Sequence, residues 1–211
     1  MTDKPTLYGF DGSTYVRTVR MVLADKGIEY DQVPVNVLEG EPRQPEHLER
    51  HPFGKVPVLD IDGHRLRETD AIVTYLEAAF DGPSAIPESA WDKARAQEIV
   101  SLIHAYGYDA MVGTAFYHIK PDFIGNPSEE QHHGTLDEAK KFMKLVGEIR
   151  GDDDWLAGPH CSIADYYLGP IVFYTNMTPH KDEILAAGGL NDWWERLSKD
   201  DDFAATEPDL G

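Results

Sequence analysis

The sequence predicts an α/β domain followed by an all-α domain, and three observations carry that reading. Short apolar runs alternate with amphipathic helical stretches over residues 1–82. Gly82-Pro83 and Ile86-Pro87 then punctuate a linker at 83–90. Beyond it, over 91–211, the period-two alternation expected of strands disappears.

Taken in order, residues 6–9 predict a short strand. Over 14–26, Val16, Val19, Val22, Leu23 and the stem of Lys26 share one helical face, and Lys26-Gly27 ends the helix. Residues 30–35 supply a second strand, and 39–52 is too polar and proline-broken for more than a short helix. Residues 56–61 and 64–66 flank Asp62-Gly63, a pair that tolerates positive φ, and so read as a hairpin. A helix from 69 or 70 to about 80 closes the unit, with Ala71, Ile72, Tyr75, Leu76 and Ala79 near three-to-four spacing. In the second region, helices are expected at 91–116, 128–150, 162–175 and 191–197, with a short one at 181–186.

Composition narrows the function. The chain has 211 residues, 41% of them apolar, and a formal charge of −19, of which residues 1–80 carry −5 and the remainder −14. That is enough apolar material for a core. The acidic field disfavours nucleic acid and anionic membranes as partners. Cys161, the single cysteine, excludes an intrachain disulfide and any CxxC pair. No run is long and apolar enough for a leader or a span, so a cytoplasmic protein is expected. Asp152-Asp153-Asp154 and Asp200-Asp201-Asp202 lack metal-loop spacing and read as solvated faces. No metal is expected.

Three segments carry a further reading: LYGFDGSTYVRTVRMVLADKGIEY at 7–30, HPFGKVPVLDIDGHRLRETDAIVTYLE at 51–77, and DWLAGPHCSIADYYLGPIV at 154–172. In order and separation they resemble the cytosolic glutathione transferase family. The resemblance implies a thioredoxin-like N-terminal domain, a helical C-terminal domain and a homodimer. It also implies glutathione as co-substrate on the first domain and a small electrophile in the cleft beside it.

From the residues alone, Ser13 and Thr14 are equally plausible N-caps of the first helix. In serine-type members that this chain resembles, the active hydroxyl precedes an arginine by four residues, which matches Ser13 and Arg17 and makes Ser13 the catalytic candidate. Thr14, Tyr15 and Tyr8 are the alternatives. A hydroxyl suffices because glutathione brings its own nucleophile, which reacts as the thiolate.

The same resemblance assigns Val56 to the cysteinyl part of glutathione through its amide and carbonyl, with Pro57 in a cis peptide. Lys55 is placed near the glycyl carboxylate. Glu68 and Thr69 are placed at the γ-glutamyl end, where Thr69 opens a helix whose amides suit a carboxylate. Arg17 and Lys55 supply local positive charge. Ser162 and Asp165 form a capping box and are structural, and Pro170 kinks the same helix. Phe10, Tyr108, Met111 and Tyr117 are candidates for the electrophile pocket, with packing against neighbouring helices the favoured alternative. His51 shapes a turn, while His118, His132 and His133 read as polar surface.

The implied reaction is glutathione transfer to electrophilic carbon. A glutathione-dependent isomerase or dehalogenase on the same fold is an alternative, although Ser13-Thr14-Tyr15 departs from the Ser-Ser-Cys of the maleylacetoacetate isomerase group. A glutathione-binding protein without turnover is another. The absence of cysteine at the first helix opposes glutaredoxin-like, dehydroascorbate-reductase and omega-like chemistry.

Overall fold

The computed structural model describes residues 4–210. It divides the chain into two compact units, Met1–Ser84 with Asp201–Gly211, and Ala85–Asp200. The last segment therefore departs from the expected helical domain at 91–211.

In the first unit, β1 (Thr6–Tyr8) lies in a four-stranded sheet between β2 (Asp31–Val33) and β3 (Val58–Ile61), with β4 (His64–Arg67) outermost. β1 runs parallel to β2 and antiparallel to β3, and β3 pairs antiparallel with β4. Asp62 and Gly63 both take positive φ, so the predicted hairpin forms with the backbone those residues favour. β1, β2 and β3 are shorter than expected, and β4 is one residue longer.

The first helix, α1 (Thr14–Asp25), buries Val16, Val19, Val22 and Leu23 as their spacing predicts. Removing each such side chain from water contributes about 1.5–3 kcal/mol. α1 also buries Met21, Thr18 and Arg17, which periodicity did not place inside. After α2 (Pro45–Arg50), α3 (Thr69–Ala79) buries Thr69, Ile72, Val73 and Leu76. Ala71 and Ala79, expected on its inner face, are exposed. Lys26 buries its head as well as its stem. Its Nζ lies 3.2 Å from Glu77 Oε2 and donates to the Pro83 carbonyl at 3.0 Å, tying the end of α1 to the end of α3.

The second unit is helical. The expected helix at 91–116 is instead α4 (Ala90–Leu102) and α5 (Tyr108–Ile119), separated by a π turn at Ile103–Gly107. Gly107 closes that turn. A Cβ there would come within 2.6 Å of the Phe142 ring, so close packing constrains the turn. α6 (Glu129–Arg150) starts on a Ser128–Gln131 capping box. α7 (Ile163–Thr175) contains Pro170 and is buried almost throughout. α8 (Lys181–Gly188) and α9 (Asn191–Leu197) complete the unit. Ala85, assigned to the linker, is buried and its carbonyl accepts from Ile163 N at 2.7 Å.

A final helix, α10 (Asp201–Ala205), was hidden within the Asp200-Asp201-Asp202 run and belongs to the first unit. Arg17 on α1 donates through Nη2 to the Phe203 carbonyl at 2.7 Å, and its guanidinium stacks 3.9 Å from the Phe203 ring centre.

Candidate active site

Sheet register gathers the first-unit candidates at one end of the sheet. Tyr8 ends β1 opposite Val58, which starts β3, and Val58 in turn pairs with Arg67, which ends β4. The loop to Ser13, the Val56-Pro57 segment and the Glu68-Thr69 junction therefore lie at the same end of the sheet.

The loop 9–13 is held tightly. Gln32 Nε2 donates to the Gly9 carbonyl at 3.2 Å and to Asp11 Oδ1 at 2.7 Å, and Arg20 lies 3.2 Å from the same carboxylate oxygen. Gly9 has no room for a side chain, since a Cβ would approach Val16 to 2.4 Å. Ser13 N donates to the Phe10 carbonyl at 2.9 Å, and Ser13 becomes the N-cap of α1, its Oγ accepting from Val16 N at 3.4 Å. An accepting oxygen keeps its own proton to donate elsewhere. Thr14 Oγ1 is buried and has no hydrogen-bond partner among the described residues.

The other hydroxyl candidates are placed differently. Tyr8 faces a charged cluster, with the Arg50 guanidinium 4.4 Å from its ring centre and a hydrogen bond to Asp60. Arg65 foremost, and Tyr8 as well, hold the Asp60 carboxyl below the usual range. Tyr15 is half-buried as the second residue of α1.

The Val56–Pro57 peptide is cis, as the resemblance implies. Ahead of it, the buried His47 donates from Nε2 to the Lys55 carbonyl at 2.8 Å, an anchor that local sequence gave no signal for. The Lys55 side chain is exposed and Val56 is half-buried. Arg17 is not available as a local cation for a ligand, because its charge is committed to α10.

Glu68 has φ 67° and ψ 128°, a backbone conformation that costs a non-glycine residue on the order of 1–3 kcal/mol. It caps α3 without a side-chain hydrogen bond. Glu68 thus leaves the start of α3 without a cap from its own side chain, and a helix N-terminus suits an anion. Glu68 Oε1 lies 3.4 Å from Nε2 of the buried His51. Phe53 N donates to His51 Nδ1 at 3.3 Å, which leaves the ring proton on Nε2 toward Glu68. Burial holds His51 below the ordinary imidazole range, against the opposing pull of Glu68.

In the second unit, Asp165 is fully buried and its two oxygens accept from Ser162 N at 2.8 Å, Ser162 Oγ at 2.9 Å, Leu156 N at 3.1 Å and Trp193 Nε1 at 2.7 Å. Burial raises its pKa while these donors oppose the rise. Ser162 and Asp165 thus have the capping geometry expected of a structural pair. Of the pocket candidates, Phe10, Tyr108 and Tyr117 are half-buried, whereas Met111 is completely buried and presents no surface to a ligand. Tyr117 stacks on His132, ring centres 3.9 Å apart. His132 is itself buried, a correction to its reading as polar surface. Among the described residues, no helix is long and apolar enough to cross a membrane.

Residues 7–84 match the protein family "Glutathione S-transferase, N-terminal domain". A probable maleylacetoacetate isomerase from Drosophila melanogaster is 39% identical over 99% of this chain and 83% of its own. A probable glutathione S-transferase from Oryza sativa subsp. japonica is 28% identical over 90% of each chain. Among solved structures, glutathione transferase F7 from Populus trichocarpa superposes with a TM-score of 0.83 at 24% identity, covering 96% of this chain and 97% of that one. The thioredoxin-like sheet, the helical second unit and these full-length relatives agree, and the chain belongs to the cytosolic glutathione transferase family of enzymes.

Proposed function

We propose that the protein binds glutathione on its first unit and that Ser13 donates its hydroxyl proton to the glutathione sulfur, holding it as a thiolate that attacks a small hydrophobic electrophile. The observation that carries this reading is the state of Ser13: its oxygen accepts from Val16 N at the start of α1, a bond that does not use the hydroxyl proton and leaves it available to donate. A preference of about 1.36 kcal/mol for the thiolate lowers a thiol pKa by one unit, and the N-terminus of α1 adds about 0.3–1 kcal/mol. Together they bring an ordinary thiol, near pKa 8.5, toward neutrality.

Thr69 at the open end of α3 receives the γ-glutamyl carboxylate, with Glu68 beside the ammonium. Val56 holds the cysteinyl part through its backbone, and Lys55 meets the glycyl carboxylate. Phe10, Tyr108 and Tyr117 are retained for the electrophile. In displacement, the sulfur pair forms the S–C bond and the leaving group departs with its electrons. In addition, the pair of the activated double bond moves to its electron-withdrawing group, and a solvent proton completes the product. The family's homodimer and cytoplasmic location are carried over to this chain, and sedimentation tests the former.

The name of the Drosophila relative favours a second reading. The same thiolate adds to an activated cis alkene, the new single bond rotates, and elimination regenerates both the double bond and the thiolate. One experiment separates the two: initial rates across aryl halides, epoxides and activated cis alkenes, with free thiol measured alongside. Transfer consumes one thiol per turnover, whereas isomerisation returns it. Ultraviolet titration of bound glutathione tests their common step, and a bound thiol that ionises at the same pH as the free one overturns both.

A further inference from the structure

Three histidines of the second unit converge, none of them assigned to glutathione. His118 lies near the end of α5, His132 in the opening turns of α6, and His180 immediately before α8. Their ring centres form a nearly equilateral triangle of 5.0, 5.1 and 5.1 Å. Their ligating nitrogens lie within 4.8 Å of one another, the one such group among the described residues. With metal–nitrogen bonds of about 2.0–2.1 Å and ring radii of about 1.1 Å, three tetrahedrally placed imidazoles have centres roughly 5 Å apart.

The nitrogens are close to suitable positions. His132 Nε2 and His180 Nε2 are 3.1 Å apart, against about 3.3 Å for two nitrogens sharing a tetrahedral zinc. His118 is exposed and packs beside His132 and His180, with a ring nitrogen already within 4.8 Å of theirs to supply the third. His132 is held by the stacked Tyr117 ring. His180 Nδ1 hydrogen-bonds Glu183, whose other oxygen pairs with Lys140. That carboxylate fixes the His180 tautomer with its proton on Nδ1, so Nε2 carries the lone pair, which here accepts from His132 Nε2; a carboxylate on the far nitrogen is the outer-shell arrangement that orients metal-ligating histidine.

We propose that His118, His132 and His180 form a binding site for a borderline divalent transition metal such as zinc, cobalt, nickel or copper. An all-imidazole set selects these ions over magnesium and calcium, which prefer oxygen. Three protein ligands leave a fourth position for water or a small anion. The ion clasps α5, α6 and α8 together.

The test uses the full, tag-free chain, stripped with a chelator and titrated with cobalt(II), then with zinc. The expected result is one ion per chain, with the intense visible absorption of four-coordinate cobalt and a thermal midpoint that rises with zinc. His118→Ala, at an exposed position, weakens binding at least tenfold while leaving the circular dichroism of the stripped protein unchanged. His180→Ala does the same, Glu183→Gln weakens binding about 10–100-fold, and the neighbouring His133→Ala leaves it intact. Absence of a stoichiometric site overturns the proposal, as does binding that survives both His118→Ala and His180→Ala.

Discussion

Gly147 on α6 and Gly188 on α8 approach so closely that a Cβ on Gly147 would lie 2.0 Å from the Gly188 carbonyl oxygen. A Cβ on Gly188 would in turn lie 2.3 Å from the Met143 carbonyl. Two backbones meet here with no side chain between them, and this contact sets the distance from α6 to α8. Gly147→Ala has to push one helix away from the other, since a carbonyl cannot yield as a flexible side chain does. The expected loss is about 1–3 kcal/mol or more by urea denaturation. The same variant separates His132 from His180 and weakens cobalt binding in parallel.

Ser13 serves α1 twice, as its cap and as the proposed donor, and two substitutions separate the roles. Ser13→Ala removes both and is expected to cost about 0.5–2 kcal/mol of stability, whereas Ser13→Gly keeps most of the cap and costs only a few tenths. Both raise the pKa of bound glutathione by about one unit and slow the chemical step about tenfold at neutral pH. Thiolate absorbance against pH, with denaturation on the same samples, checks each. Preserved titration in both variants would remove Ser13 from the chemistry and turn attention to the buried, unpartnered hydroxyl of Thr14.

Asp165 accepts four hydrogen bonds in the core of the second unit. Asp165→Ala strands buried donors and is expected to cost about 3–5 kcal/mol. Trp193→Phe removes a single donor and costs about 1–3 kcal/mol. Chemical denaturation measures both, and in the milder variant the titration of bound glutathione stays unchanged.

His51 makes stability fall on acidification. Burial, opposed by Glu68 and reinforced by Arg67 and His47, lowers its folded pKa below that of the unfolded chain. Below about pH 6.5 the unfolded state takes up a proton that the folded state refuses. Stability is therefore complete above that pH and declines as pH falls toward the folded value. Urea midpoints between pH 8 and pH 5 are expected to fall less steeply in His51→Gln than in the parent.

A second acid limb belongs to Asp192. Arg150, bonded to both of its oxygens, lowers its carboxyl to about 2. This contribution is present above the ordinary carboxylate range and disappears as pH falls from about 4 through 2. Asp192→Asn flattens that limb without altering the one near pH 6.

What was legible in the sequence was local. Asp62-Gly63 carries its own turn, Ser162 and Asp165 stand at capping distance in the chain, and the valines of α1 mark their own face. The order of Ser13, Val56 and Thr69 became a site only through the register Tyr8 to Val58 to Arg67. What escaped depends on contacts distant in sequence. The π turn packs Gly107 against Phe142, Ala85 is buried and bonded to Ile163, and Arg17 finds a partner far along the chain at Phe203. The histidines gave no signal for the same reason: His118, His132 and His180 fit no ligand spacing until three helices bring them together.

The bond from Arg17 to the Phe203 carbonyl has a consequence for synthesis. When a ribosome has released the four strands and first three helices, the acceptor that this internal cation needs has not yet been translated. The opening unit can reach its finished form only after the whole intervening helical portion has emerged, so its maturation waits for Phe203.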